Sequence, residues 1–460
     1  MNKIFVALVM TGFTLSCGNE PKSTEIEIQN VSTSTTPKNI IMIVGDGMGP
    51  AYTTAYRYIK DNPKTPEVEN TVFDRLLVGI ASTYPNIEHG YVTDSAAGAT
   101  ALSSGTKTYN GAVGVDIDKA PVETVLERAH SQGKKTGIVV TSHINHATPA
   151  SYLVHNESRY NYNQIADSYI DDGIKADVYL GGGWKYFLRD DRNLVDEFKE
   201  AGFTYVDNYK ALETIPKSKP LLGLFDKKGL PWALDDTDKH RLLTMTKTAT
   251  KHLENDKGYF MLIEASQIDW AGHSNDIVSA MGEMDDLAKT LEYLESYVKT
   301  NPDTLVVLTA DHSTGGFTLG AKGIFEWRPS VLRSIQQSPI SIAEALKSNN
   351  ITKENADSLF NFELTKDEVS TLITVKNDTI TAKQIAAITD EEKAKKIKVQ
   401  EALYTAVKKI IDNRTNTGWT TTGHTAIDVP VFAMGNNKAL FNGYQDNTDI
   451  AKKIFSLLGE

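Results

Sequence analysis

The segment Thr93-Asp94-Ser95-Ala96-Ala97-Gly98-Ala99-Thr100-Ala101-Leu102 sets a serine beside an aspartate, just ahead of small, helix-forming residues. Small side chains let a bulky anion approach the backbone closely. A helix starting there aims unpaired N–H groups and its positive dipole end at that anion. A serine hydroxyl is a weak nucleophile unless its proton is removed, and no histidine lies within these ten residues. Its activator must come from elsewhere in the chain, and a metal ion is the expected source. Taken alone, the segment serves equally well as a small-residue helix packed in a core.

Metal-ligating residue types gather where apolar runs end. Asp46 follows Asn39–Val44, and Glu264 ends the run Tyr259–Ile263. Asp269 and His273 follow four residues apart, so a helical turn would put both on one face. Asp311 and His312 follow Thr304–Ala310, and His424 precedes the run Val429–Ala433, taken as the last strand. Carboxylates and imidazoles suit zinc, while carboxylates with hydroxyls suit magnesium. Any one of these residues has an ordinary explanation as a helix cap or a hydrogen-bonded histidine. Their joint occurrence at strand ends does not. His89, His130, His143, His155, His240 and His252 are assigned to surface or packing.

The elements that must position these residues alternate. Apolar runs at Asn39–Val44, Thr136–Val140, Tyr259–Ile263, Thr304–Thr309 and Val429–Ala433 read as strands, the first buried on both faces. Helical periodicity falls between them, at Pro121–Ala129 with Gly133 as its stop and at Asp449–Leu458. This alternation predicts an α/β fold, a three-layer α/β/α sandwich around a large, mainly parallel sheet, with functional residues beyond the carboxyl ends of the strands. Residues 320–415 read as a mostly helical insertion. Thr365 with Glu368 and Thr389 with Glu392 form capping boxes, and Val399, Leu403, Ala406 and Ile410 share a helix face.

A net charge of −11 gives no electrostatic support to nucleic-acid binding, and an anionic substrate would need a local cationic site. Met1-Asn2-Lys3 and the apolar run to Leu15 predict a secretory signal over 1–17. Its end, Leu15-Ser16-Cys17-Gly18, resembles a bacterial lipoprotein signal, implying acylation of Cys17, export, and anchorage in the cell envelope facing the periplasm or cell surface. Cys17 is the only cysteine, which excludes a disulfide within the chain. Residues 18–38, rich in Ser, Thr and Glu, suit a flexible tether, leaving 39–460 as the catalytic domain.

Six elements in order resemble the alkaline phosphatase family: Ile43-Val44-Gly45-Asp46-Gly47-Met48-Gly49, Thr93-Asp94-Ser95-Ala96-Ala97, His146-Ala147-Thr148-Pro149-Ala150, Glu264-Ala265-Ser266-Gln267-Ile268-Asp269, Thr309-Ala310-Asp311-His312 and Thr422-Gly423-His424. The resemblance implies hydrolysis of phosphate monoesters with release of inorganic phosphate, through a phosphoserine at Ser95, and a homodimer. One zinc ion would be held by Asp269, His273 and His424, and a second by Asp46, Asp311 and His312, with Ser95 beside it as its alkoxide. A magnesium ion would use Asp46, Thr148 and Glu264, making Asp46 a bridge. Arg159 would clamp two phosphate oxygens, oriented by Asp94; its planar fork fits that task.

Two positions depart from some family members. His146 stands where others carry Asp near the magnesium, and Trp270 where others carry Lys or His near the phosphate. Other readings are a phosphodiesterase or phosphonate hydrolase of the same superfamily, and a non-catalytic, metal-binding surface lipoprotein. A sulfatase would need Pro and Arg after the nucleophile, and Ser95-Ala96-Ala97-Gly98 has neither.

Overall fold

The structure, a computed structural model, describes residues 36–386 and 399–459. The expected signal, Cys17, the tether as far as residue 35 and the Thr389–Glu392 cap lie outside the described residues. Ten strands form one sheet: β1 (Asn39–Val44), β2 (Leu77–Ser82), β3 (Lys135–His143), β4 (Val178–Gly182), β5 (Thr204–Val206), β6 (Leu221–Leu224), β7 (Tyr259–Glu264), β8 (Thr304–Thr309), β9 (Val429–Gly435) and β10 (Gly443–Asp446). Their spatial order is β10-β2-β9-β8-β1-β7-β3-β4-β6-β5. Every pairing is parallel except those of β9 with β2 and β8.

The central position of β1, between β7 and β8, explains its unbroken apolar sequence. Ile40 to Val44 are fully buried, with helices covering both faces of the sheet. Burial of each such side chain contributes about 1.5–3 kcal/mol.

Several expectations are corrected. The helix assigned to Pro121–Ala129 runs over Val125–Ser131. Thr124 and Glu127 form a reciprocal capping box, with Oγ1 accepting from the Glu127 N–H at 3.1 Å and Oε2 from the Thr124 N–H at 3.0 Å. That cap fixes the start and leaves Pro121–Glu123 outside. The strand at Val429 is not the last, because β10 follows it and forms the sheet edge through parallel pairing with β2. Strands β2, β4, β5, β6 and β10 were not anticipated. The strand expected at Thr136–Val140 extends to His143, carrying its carboxyl end into the site.

Between β8 and β9, Thr318–Leu319 pairs antiparallel with Thr417–Gly418. The segment between these two pieces is mostly helical, with helices at Ser330–Ser334, Pro339–Ser348, Lys353–Phe360, Lys366–Ala386 and Val399–Thr415. Leu403, Ala406 and Ile410 are buried along one face of the last of these. Thr365 and Glu368 cap each other reciprocally at the start of Lys366–Ala386.

The single reversed strand matters for the site. Because β9 runs against its neighbours, its entering end lies at the carboxyl edge of the others. His424, in a two-residue bridge with Thr314, arrives there just before it.

Candidate active site and metal centre

Ser95 opens α1 (Ser95–Ser104), and Asp94 is its N-cap in extended conformation. Asp94 Oδ1 accepts from the N–H groups of Ala97 and Gly111, both at 3.0 Å. Its Oδ2 accepts from Arg159 Nη1 at 3.0 Å. One carboxylate thus caps the helix, ties down the loop at Gly111 and orients the guanidinium. Ser95 is only 2% exposed, and its hydroxyl lies 3.2 Å from His312 Nε2. Gly98, one turn along α1, lets the helix approach Asp311: a Cβ there would stand 3.1 Å from both the Cβ and the carbonyl oxygen of Asp311.

Three imidazoles aim the same nitrogen inward. His424 Nδ1 faces the Thr93 carbonyl at 2.8 Å, and His273 Nδ1 the Thr422 carbonyl at 2.5 Å. A carbonyl only accepts, so both Nδ1 atoms carry hydrogen and both Nε2 atoms present a lone pair when neutral. His312 Nδ1 contacts Thr314 Oγ1 at 3.2 Å, and that hydroxyl donates its one hydrogen to Asp269 Oδ1. Thr314 must therefore accept from His312, which fixes the same tautomer.

The Nε2 atoms converge on carboxylates. His312 Nε2 lies 3.3 Å from Asp311 Oδ2 and 3.5 Å from Asp46 Oδ1. His273 Nε2 lies 3.3 Å from Asp269 Oδ2 and 3.0 Å from His424 Nε2, which is 3.6 Å from Asp269 Oδ1. The rings of His312 and His424 stack with centroids 3.5 Å apart.

Asp46, Glu264 and Asp311 are completely buried. Yet both Asp46 oxygens, Glu264 Oε1, Asp311 Oδ2, Thr148 Oγ1 and His146 Nδ1 find no hydrogen-bond partner. Orphaned carboxylate oxygens in a dry interior are costly unless a cation satisfies them. Burial, reinforced by neighbouring carboxylates, pushes the Asp46 and Asp311 carboxyls well above their usual range. Burial also raises Glu264 to about 7. Burial would raise Asp269 as well, but the hydrogen bond to His273 and the facing imidazoles outweigh it and hold that carboxyl low.

Three groups offer ligand atoms mutually within 4.8 Å: Asp269 with His312 and His424, Asp46 with Asp311 and His312, and Asp46 with His146 and Glu264. His273 adjoins the first group through the contacts just given, and Thr148 is buried at the start of the helix Ala147–Leu153. The donor set and its unpartnered oxygens fit divalent cations, with Asp46 common to two of the cradles.

Arg159 is largely enclosed and reaches His146 Nε2 with Nη2 at 3.3 Å. Trp270, on α2 (Gln267–His273) between Asp269 and His273, sets its ring edge-on to His146, centroids 5.9 Å apart. Gly229 lies against that indole, where a Cβ would meet the ring at 2.4 Å.

Sequence reasoning missed three contributors. Thr314 orients both His312 and Asp269, and no motif marks it. Gly47, at φ +72°, donates its N–H to Asp311 Oδ1 at 3.1 Å and leaves no space for a Cβ beside Asp269. Its signal was the Gly-rich run after β1. His143, assigned to packing, is buried and backs His146 edge-on with centroids 4.9 Å apart.

Cation cradles beside a buried serine at a helix start, with an arginine alongside, belong to the class of metal-dependent hydrolases acting on phosphate esters. Sequence and structure comparisons agree. A profile of the alkaline phosphatase family matches residues 37–459, and the chain belongs to that family. It is 47% identical over 427 residues to alkaline phosphatase 3 of Bacillus subtilis (strain 168), spanning 92% of this chain and 89% of that one. A cold-active alkaline phosphatase from the psychrophile Shewanella sp. superposes with a TM-score of 0.84 at 46% identity, covering 92% of this chain and all of the other. The Thermus thermophilus alkaline phosphatase gives 0.75 at 25% identity, covering 95% and 94%. The protein is a metal-dependent enzyme that hydrolyses phosphate monoesters.

Proposed function

We propose that Ser95 is the nucleophile of this phosphomonoesterase and that hydrolysis passes through a phosphoserine. The observation that carries this reading is the placement of Ser95 Oγ beside His312 Nε2, at the edge of a cluster of buried, unpartnered carboxylate oxygens. Asp269, His273 and His424 would hold one zinc ion, and Asp46, Asp311 and His312 the other. Asp46, Thr148 and Glu264 would hold a third divalent cation, magnesium in the family pattern. Bound there, the cations supply positive charge to the attacking and leaving oxygens of an in-line displacement.

The protein's own groups do the rest. Asp94 caps α1 and fixes Ser95 at its first turn, where the helix N–H groups face the transferring phosphoryl. Arg159, steered by Asp94, offers its fork to two non-bridging oxygens. Enclosure of the site limits competing water. Replacement Ser95→Ala is expected to lower turnover of p-nitrophenyl phosphate more than about 1,000-fold. Full activity in that variant would refute the nucleophile assignment.

His146 lies with Asp46 and Glu264, and an imidazole there favours zinc over magnesium. A TAB5 alkaline phosphatase variant with aspartate in place of a histidine is described with magnesium in its M3 site. Metal analysis of wild type against His146→Asp tests this: equal magnesium content in both would count against it. Trp270 brings no charge toward the phosphate, so product is held less tightly. Trp270→Lys should strengthen phosphate inhibition severalfold, and unchanged inhibition would remove the idea.

We further propose residues 39–460 as one catalytic domain bearing a helical insertion, exported behind the 1–17 signal and anchored through an acylated Cys17, facing the periplasm or cell surface. The protein is expected to act as a homodimer. Mass analysis of the mature N-terminal peptide and light scattering of the purified enzyme test these points. An unmodified Cys17 or a monomeric mass would contradict them.

A further inference from the structure

The loop that leaves α2 is gripped from outside the sheet. His273, a proposed ligand with Asp269 and His424 at what is here the outer cation site, is the last residue of α2, and Ser274-Asn275-Asp276 lead into the long helix Ile277–Thr300. The loop is tightly folded: Asn275 has φ +51°, the Ser274 and Asn275 N–H groups bond back to Trp270 and Gly272, and Asp276 caps the next helix through Ser279.

The last helix of the insertion, Val399–Thr415, reaches into this turn. Lys408 Nζ donates to the Ser274 carbonyl, and the Tyr404 hydroxyl donates to Asp276 Oδ2 at 2.8 Å. The Lys408 ammonium also rides over the Tyr404 ring, 4.1 Å from its centroid, so the two side chains form one unit. Lys408 thereby sets a positive charge at the C-terminal end of the helix that carries Asp269 and His273.

We propose that Tyr404 and Lys408 are positioning residues for the outer cation site, holding the end of α2 so that His273 Nε2 stays aimed at the metal. This assigns the helical insertion a task in metal retention rather than in substrate contact. It is natural that the support lies here. The His273 side chain is 40% exposed, against 12% for His424 and 5% for Asp269, so it has least packing of its own to hold its rotamer.

The inference rests on His273 ligating zinc, and the experiment separates the two ideas. Zinc-loaded full-length enzyme is mixed with excess chelator, and zinc release is followed with a colorimetric indicator, alongside melting temperature, kcat and KM. His273→Ala should hold one zinc fewer per chain than wild type; if its zinc content is unchanged, the ligand assignment fails.

With that loss in hand, Lys408→Met with Tyr404→Phe should release one zinc roughly tenfold faster than wild type, within the range for residues that orient metal ligands. KM should be unchanged while zinc is saturating, and Lys408→Arg should restore slow release. Arg414→Met breaks the Arg414–Glu368 ion pair inside the insertion without touching residues 274–276. It controls for general loosening and should release zinc at the wild-type rate. Unchanged release in the Lys408/Tyr404 variant, or equal acceleration by Arg414→Met, overturns the proposal.

Discussion

At the scale of single residues, what distinguishes this site is how few side chains fix many atoms. Thr314 has one hydroxyl hydrogen, gives it to Asp269 and must accept from His312, so one residue sets a carboxylate and an imidazole at once. Thr314→Val keeps the shape and removes both contacts. Zinc affinity is expected to drop about 10–100-fold with little change in melting temperature, measured by competition against a chelating indicator. Unchanged affinity would mean that packing alone orients His312. None of this was legible in the chain. The candidate ligands stand out because they are carboxylates and imidazoles gathered near the ends of apolar runs. Thr314 is a common residue whose role exists only because β8 and α2 are brought together in space. His143 escaped for a related reason: nothing local separates a packing histidine from one that backs a site.

At the scale of elements, legibility followed the length and continuity of the apolar run. The strand β1 was recognisable to the residue because it is covered on both faces and must be apolar throughout. The strands β4 and β6 are short and contain glycine, β2 is partly exposed and carries Gly79, and β10 lies on the sheet edge, so their sequences carry weaker patterns. The start of the helix at Val125 was misjudged because apolar spacing outweighed the Thr124–Glu127 cap, which is the stronger local signal. Helix α1 offers a test of element placement. Gly98→Ala raises helix propensity by about 1 kcal/mol, yet its new methyl group would press on Asp311 at 3.1 Å. The expected outcome is a kcat about tenfold lower with stability held or improved, because small displacements of reacting groups are costly. Wild-type kcat would show that the helix and Asp311 can separate without harm.

At the scale of the whole molecule, the cluster of buried carboxyls links folding to pH and to metal. The Glu264 carboxyl is raised by burial from 4.5 to about 7, so in metal-free protein its contribution favours the fold at low pH and is lost as pH climbs through about 7. His273, raised from 6.5 to about 8 chiefly by its hydrogen bond to Asp269, acts in the same direction: its contribution is present below 6.5 and gone above about 8. Cations reverse this, since they replace the protons and satisfy the charged forms. The difference in melting temperature between zinc-restored and chelator-treated enzyme should therefore widen steadily from pH 5 to pH 8.5. A constant difference across that range would contradict the reading.

The reversed strand β9 has a consequence for how the enzyme comes into being. Asp46 emerges near the start of synthesis, and the ligands through His312 follow in turn. His424 is supplied only after the helical insertion has been made, just before the chain doubles back along β8. The outer cation site is thus a late product of chain growth. An elongating polypeptide holds an incomplete set of candidate ligands until its final stretch is free, and full metal loading becomes a signature of a finished chain.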